Sequence, residues 1–141
     1  MPFDDKSFDY VVALDLVEHL DGFHEGLEEM FRVANKELII LIPNMAHLFF
    51  RLRFLFKGKF GYSKYTLDKE TTTKGTDRHR WVTTVDETDK YLEDFAKDNG
   101  VTIEKYYLVD SFKKDLLVGL SILLGLPKSL YVWSAVYIIK K

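Results

Sequence analysis

Residues 2–20 have the sequence Pro-Phe-Asp-Asp-Lys-Ser-Phe-Asp-Tyr-Val-Val-Ala-Leu-Asp-Leu-Val-Glu-His-Leu. The polar opening predicts a loop. Phe8–Leu14 is mostly apolar without strict alternation, which predicts a strand covered on both faces, as in a parallel sheet. Asp15, Glu18 and His19 follow directly. Because ligands of open parallel sheets bind just beyond the carboxyl ends of the strands, these three side chains stand where ligands are usually held.

The composition indicates one domain with a real core and excludes several kinds of function. The chain has 141 residues, of which 47% are hydrophobic and 15% aromatic. With 20 basic and 22 acidic residues the net charge is −2, so the basic surplus on which nucleic-acid binding depends is missing and we expect no nucleic-acid partner. The absence of cysteine excludes disulfides, thiolate metal sites and cysteine nucleophiles.

No basic-then-apolar leader is visible after Met1, so we expect a cytoplasmic protein. The longest apolar run, Leu116–Leu126, is shorter than the about 20 residues that a bilayer span needs.

The residues after the first strand predict a helix and a second strand. Apolar residues recur at helical spacing over 24–35, and the continuous apolar run Leu38–Ile42 predicts a buried strand. Strand, helix and strand in this order form a βαβ unit, which we expect to cross over with the right hand.

The segment 47–60 is aromatic and basic and predicts a short helix that ends near Gly58. Its apolar side can pack on the rest of the domain while its cations reach water. Alternatively, it closes as a lid over an apolar or anionic substrate, or touches a membrane surface. We take 44–83 as a lid or substrate-side insertion.

The last part of the chain contains another helix and two more strands. Thr84 and Glu87 match a capping box that starts a helix, and Asn99-Gly100 is a strong stop signal. Further predicted elements are a strand over 101–109, an apolar helix or lid over 111–126, and a strand over 131–139. This makes four strands in all.

Two groups of residues can carry chemistry. His19 is the best-placed general base, because a histidine titrates near neutral pH; alternatively, it only caps the turn after the strand. Together, Asp15, Glu18 and His19 offer two carboxylates and an imidazole to a divalent ion; alternatively, they form a solvated polar turn.

The second group is His79 with its neighbours Arg78 and Arg80. Arginine presents a planar fork of donors that suits a carboxylate or phosphate. The alternative interpretation is an ordinary surface loop.

Several of these stretches resemble landmarks of class I S-adenosylmethionine-dependent methyltransferases. In that family, the region of the fourth strand commonly reads Pro-Phe, a few polar residues, Phe-Asp, an apolar run and then Glu-His-Leu. The matching residues here are Pro2-Phe3, Phe8-Asp9 and Glu18-His19-Leu20. Pro43-Asn44 after the second apolar strand and the linker Asp77–Thr83 are also similar to the family. The resemblance extends over nearly the whole chain.

The resemblance implies an α/β fold, namely part of a Rossmann-like methyltransferase fold. Its mixed sheet would hold four strands in the order 4-5-7-6 of the full fold, with helices on both faces. It further implies S-adenosylmethionine as cofactor and a small-molecule methyl acceptor of the sugar, lipid or quinone-precursor class.

The resemblance also implies roles for individual residues. Phe3, Leu14 and Asp15 fall on the cofactor side, and His19 and His79 are the catalytic candidates. Asp15, Glu18 and His19 are similar to the Glu-x-x-Glu-His of quinone-precursor O-methyltransferases, where these positions carry a magnesium-type site; here Asp replaces the first Glu.

The family's glycine-rich cofactor loop has no counterpart, since none of the 8 glycines forms Gly-x-Gly. We therefore expect residues 1–141 to be a single truncated methyltransferase domain, the C-terminal half of its fold, that binds the cofactor weakly or not at all alone. One alternative is a non-catalytic scaffold that dimerises through its exposed first strand. Another is a lipid-surface protein that uses Phe49–Lys59 and Leu116–Leu126.

Overall fold

The described residues form an α/β unit. A computed structural model describes residues 2–58, 79–109 and 115–141. The elements in chain order are β1 (Phe8–Leu14), α1 (Phe23–Val33), β2 (Ala34–Pro43), α2 (Leu48–Lys57), α3 (Val85–Asp98), β3 (Thr102–Val109), α4 (Asp115–Leu123) and β4 (Val132–Lys140). Short 3-10 turns lie at Val17–His19 and Lys128–Leu130. Residues 59–78, a large part of the predicted insertion, lie outside the described residues.

The four strands form one mixed sheet in the order β1-β2-β4-β3. β1 runs parallel to β2, with Val12 opposite Ile39, and β4 is antiparallel to both β2 and β3. The predicted strand order and directions are confirmed, because this arrangement is the 4-5-7-6 half of the methyltransferase sheet. Within the described residues, no helix combines the length and apolar character that crossing a bilayer requires.

Local sequence signals place the helix ends close to where they were predicted. Thr84 caps α3 by accepting a hydrogen bond from the backbone N–H of Glu87 at 3.1 Å. Gly58 ends α2 in the left-handed conformation with φ 60°, which glycine adopts without a Cβ penalty. Both confirm predictions that used only short-range patterns.

Helices α1 and α3 cover one face of the sheet and enclose the core. α1 contacts β1 and β2, whereas α3 contacts β3 and β4. Fully buried side chains come from each layer: Leu27 of α1, Leu92 of α3, Leu38 and Ile40 of β2, and Tyr137 and Ile139 of β4. Burial of each large apolar side chain is worth about 1.5–3 kcal/mol, so this layer supplies most of the stabilisation.

The opposite face of β1 is exposed, so the expectation that this strand is covered on both faces is wrong. Tyr10, Val12 and Leu14 are 57%, 56% and 57% exposed, whereas Ala13 between them is 2% exposed. β1 also ends the sheet, as predicted, since β2 is its partner within the described residues. An apolar run predicts that something covers a strand, but it does not say whether the same stretch of chain provides that cover.

The side-chain amide of Asn44 joins three elements at one end of the sheet. Asn44 is 1% exposed and follows β2 directly. Its Nδ2 donates to the carbonyls of Ser129 at 2.8 Å and Val132 at 2.6 Å. Its Oδ1 accepts from the backbone N–H groups of Ala46 at 3.1 Å and Val85 at 3.3 Å. One buried amide, fully hydrogen-bonded, therefore fixes the starts of α3 and β4 against the end of β2.

A buried carboxylate ties α3 to the sheet. Asp89 is 4% exposed and accepts hydrogen bonds from Tyr107 at 2.7 Å, from Tyr137 at 2.9 Å and from the ammonium of Lys128. Burial alone would raise the pKa of Asp89, but the hydrogen bonds from Lys128 and the two tyrosines outweigh it and lower the pKa below the usual value.

The low pKa of Asp89 predicts acid sensitivity. A carboxyl group whose pKa is depressed on folding stabilises the protein above its unfolded pKa of about 3.9, and this contribution is lost as the pH falls through that value and below. Urea midpoints at about pH 7 and about pH 3 measure the loss. We expect Asp89→Asn to be less stable than the parent at neutral pH and to lose less stability on acidification.

Asp98→Asn is the matched control, because it removes an exposed carboxylate from the same helix. It should keep the parent's difference between the two pH values. If Asp89→Asn and the parent lose the same amount on acidification, Asp89 does not carry this stability.

Candidate functional site

The candidate site begins where β1 ends. Asp15 has a left-handed backbone conformation with φ 49°, which aspartate tolerates better than most residues. Its N–H still donates to the carbonyl of Leu41 at 3.2 Å, so pairing with β2 continues one residue past β1. The chain then folds into the 3-10 turn Val17–His19, whose first two residues are buried.

The backbone of Glu18 holds a distant segment against this turn. Its carbonyl accepts hydrogen bonds from the N–H of Arg80 at 2.8 Å and the N–H of Trp81 at 3.2 Å. The indole Nε1 of Trp81 also donates to the carbonyl of Leu20 at 2.8 Å. These three bonds bring His79, which precedes Arg80, to the same end of β1.

Glu18, His19 and His79 converge there, and we call them the Glu-His-His cluster. The Nε2 of His19 lies 3.8 Å from Oε1 of Glu18, and the centroids of the two imidazole rings lie 4.9 Å apart at an interplanar angle of 82°. One ligand atom from each residue lies within 4.8 Å of the others. The Glu18 side chain is 1% exposed and that of His19 is 16% exposed, so the cluster is mostly enclosed but reaches the surface through an imidazole.

The three side chains would have to move closer together to hold a small cation. Donors bound to one ion at about 2.0–2.2 Å lie about 3.3–3.6 Å apart in a tetrahedral site, so a distance of 4.8 Å in the cluster would have to shorten by about 1 Å. Two imidazoles with one carboxylate suit borderline ions such as Mn²⁺ or Zn²⁺ better than Mg²⁺, which prefers oxygen ligands. Without an ion, an imidazole beside a buried carboxylate is a competent proton acceptor.

The structure places the other predicted site residues outside this cluster. Asp15 is exposed at the end of β1, and its part in a metal site with Glu18 and His19 stays a prediction. Leu14 is 57% exposed beside it. Phe3 packs edge-on against Phe8 at 5.0 Å. The cofactor contacts predicted for Phe3, Leu14 and Asp15 stay predictions.

The anion-binding role predicted for the second group also remains a prediction. Arg78 lies outside the described residues. The guanidinium of Arg80 forms an ion pair with Asp21, so a carboxylate of this chain already contacts that fork. His79 was predicted as a separate candidate, and its union with Glu18 and His19 was missed, because no local pattern reveals a contact between distant segments.

A family model described as "Methionine biosynthesis protein MetW" matches residues 1–106. No curated protein matches this chain.

Solved structures of methyltransferases share the fold. One is a possible histamine N-methyltransferase from Thermotoga maritima, described as S-adenosylmethionine-dependent. It is 14% identical to this chain with a TM-score of 0.57, and the match covers 100% of this chain and 59% of that protein's chain. A methyltransferase from Archaeoglobus fulgidus, also described as dependent on S-adenosylmethionine, is 18% identical with a TM-score of 0.53, with coverages of 99% and 62%. The small RNA methyltransferase HEN1 is 16% identical with a TM-score of 0.56 and coverages of 99% and 14%.

These likenesses confirm the predicted methyltransferase fold. The chain spans about 57–62% of the length of three of the similar structures and a smaller part of HEN1. The matching region contains every described strand and the Glu-His-His cluster, since each structure covers 99–100% of this chain.

Proposed function

Because the chain belongs to the family of the methionine biosynthesis protein MetW, we propose that it forms the acceptor-side part of an S-adenosylmethionine-dependent methyltransferase that acts on a small molecule. The observation that carries this proposal is the Glu-His-His cluster at the carboxyl end of β1. In open sheets with parallel strands, this end is where ligands bind.

The chemistry of methyl transfer asks little of the protein beyond alignment and proton removal. A lone pair on an acceptor oxygen or nitrogen forms the new bond to the methyl carbon as the carbon–sulfur bond breaks, and the acceptor loses its proton. The imidazoles of His19 and His79 are the groups of the cluster that can accept this proton. The negative charge of Glu18 beside His19 stabilises the resulting imidazolium.

Polypeptide outside residues 1–141 supplies the cofactor cradle in this proposal. None of the 8 glycines forms Gly-x-Gly, and among the described residues no strand pairs with the outer edge of β1. The exposed face also continues inward, because Val12 pairs with Ile39 and Leu14 pairs with Leu41. An apolar strand edge joined to an apolar face is the surface that another part of the same fold would cover.

Cofactor binding by residues 1–141 alone is therefore expected to be weak. Calorimetric titration with S-adenosylmethionine should give no binding in the micromolar range. Adding a polypeptide that carries the glycine-rich half of a MetW-family protein should form an equimolar complex and restore binding, because β1 then gains its parallel neighbour. Micromolar binding by the isolated chain would contradict the proposal.

Light scattering on the same samples separates the scaffold alternative. A stable homodimer that does not bind the glycine-rich half favours a dimerisation module that pairs through β1. A one-to-one complex with that half favours the enzyme.

We also propose that Glu18, His19 and His79 hold a divalent ion. Two observations support this proposal. One donor atom of each residue lies within 4.8 Å of the others, and the carboxylate of Glu18 is enclosed. When bound, such an ion would polarise the acceptor's oxygen or nitrogen and favour loss of its proton to water, because the imidazoles that ligate the ion would no longer be available to accept it. The residues of the cluster would orient that atom toward the methyl group, and we propose the carboxylate of Asp15, at the end of β1, as a fourth ligand.

Metal binding is testable without activity. Zn²⁺ and Mn²⁺ should each raise the thermal unfolding midpoint of the chain, because an ion that binds only the folded state stabilises it. Glu18→Gln keeps the side-chain shape and should lose most of this shift, as should His79→Ala. His24→Ala removes a histidine outside the cluster and should keep the shift. An equal response in all four proteins would show that the ion binds elsewhere.

The lipid-surface alternative also has an observation in its favour. Along α2, Leu55 and Phe56 are 73% and 79% exposed, beside the cations Arg53 and Lys57. Co-sedimentation with anionic vesicles that disappears in the double variant Arg53→Glu, Lys57→Glu would support it, and no co-sedimentation of the parent would remove it.

A further inference from the structure

A cavity of about 330 Å³ lies between the start of α1, residues 81–83 and α3, outside the Glu-His-His cluster. Its size is within the range of small-molecule sites. Its walls include Phe23, His24, Trp81 and Tyr91. The methyl-transfer proposal makes no use of these four aromatic side chains.

The four rings contact one another at steep angles and together line one side of the cavity, and we call this lined cavity the aromatic box. His24 and Tyr91 have centroids 4.9 Å apart at an interplanar angle of 56°, and His24 and Trp81 lie 5.9 Å apart at 70°. Phe23 lies 5.9 Å from Trp81 at 57° and 5.8 Å from Tyr91 at 68°. At centroid distances of 4.9–5.9 Å the rings touch one another, so an occupant lies in the cavity against their exposed surfaces and not between the rings.

Burial distinguishes this box from ordinary core packing. Phe23 is 5% exposed and closes the back, whereas Trp81 and Tyr91 are half-buried and His24 is exposed at the mouth. The indole of Trp81 is held in place by its hydrogen bond to the carbonyl of Leu20 at 2.8 Å. The box is therefore formed before any ligand arrives, which lowers the entropic cost of binding.

The charges around the box favour a cation. The carboxylates of Glu87 and Asp94 line the cavity, and Lys90 is the one cationic side chain among the residues that line it within the described part of the chain. Burial raises the pKa of Tyr91, and the nearby negative charges of Glu28 and Glu25 raise it further.

We infer that the box of Phe23, His24, Trp81 and Tyr91 binds an organic ammonium cation. The electron-rich faces of Trp and Tyr attract such a cation, and Trp is the most effective of the aromatic side chains. An alkylammonium group fits because its methyl groups contact the rings while its charge meets the carboxylates at the mouth. This inference concerns binding alone and stands apart from the proposed methyl transfer.

Choline is the probe, and its control is the neutral alcohol in which a quaternary carbon replaces the nitrogen. The two have the same shape, so a difference between them measures the charge. The readout is the indole N–H signal of Trp81 in nitrogen-proton correlation spectra. Trp133 gives the other indole signal, and Trp81→Phe identifies which is which.

We expect choline to shift the Trp81 signal saturably and the neutral alcohol to bind at least tenfold more weakly. Tyr91→Leu should weaken choline binding at least tenfold, whereas Tyr91→Phe, which keeps the ring, should stay within threefold of the parent. Asp94→Asn should also weaken binding, and this variant tests the charge without changing the core.

Three results would overturn the inference. They are the absence of any choline-dependent shift, equal binding of the neutral alcohol, and Tyr91→Leu binding choline as well as Tyr91→Phe does. If Tyr91→Leu does not fold, the inference is tested by the difference in affinity between choline and the neutral alcohol and by the affinity of Asp94→Asn for choline.

Discussion

Parallel pairing of β1 with β2 is the constraint on which the rest of this structure depends. Because both strands run the same way, the turn after β1 and Asn44 after β2 arrive at one end of the sheet. There the amide of Asn44 holds the starts of α3 and β4, while the carbonyl of Glu18 holds residues 80 and 81. Without this pairing, His79 would have no reason to lie beside His19, and the aromatic box would lose Trp81.

The two faces of the sheet have different roles. One face is enclosed by α1 and α3 and gives the chain its core. The other exposes a band of apolar side chains that begins at Tyr10, Val12 and Leu14 on the free edge. The described residues therefore combine one enclosed face with one face on which β1 exposes apolar side chains.

Local patterns in the sequence predicted the framework well. β1 has the bounds that its apolar run predicts, and the capping residues Thr84 and Gly58 act where they were expected. These features depend on neighbours within one turn or one strand. Cover on the outer face of β1 was predicted wrongly, because it depends on elements that the strand's own residues do not specify. The order of the sheet came from the resemblance to methyltransferases.

The site was predicted only in part for the same physical reason. The ionisable residues after β1 were recognised because they follow one another along the chain. His79 joins them because the backbone N–H groups of Arg80 and Trp81, which follow it, donate to the backbone carbonyl of Glu18. Backbone groups are present in every residue type, so no sequence pattern predicts this contact. The meeting of His24, Trp81 and Tyr91 likewise requires α1 and α3 to pack side by side.

Amide hydrogen exchange along β1 tests the central claim most directly. Since Asp15 donates its N–H to Leu41, alternation along the strand points the N–H groups of Val11 and Ala13 toward β2 and those of Tyr10, Val12 and Leu14 away from the sheet. The account predicts slow exchange at Val11 and Ala13 and fast exchange at the alternate three in the isolated chain. Uniformly slow exchange along Tyr10–Leu14 would mean that β1 is not a free edge, and would contradict the interpretation of this chain as an open half of a methyltransferase sheet.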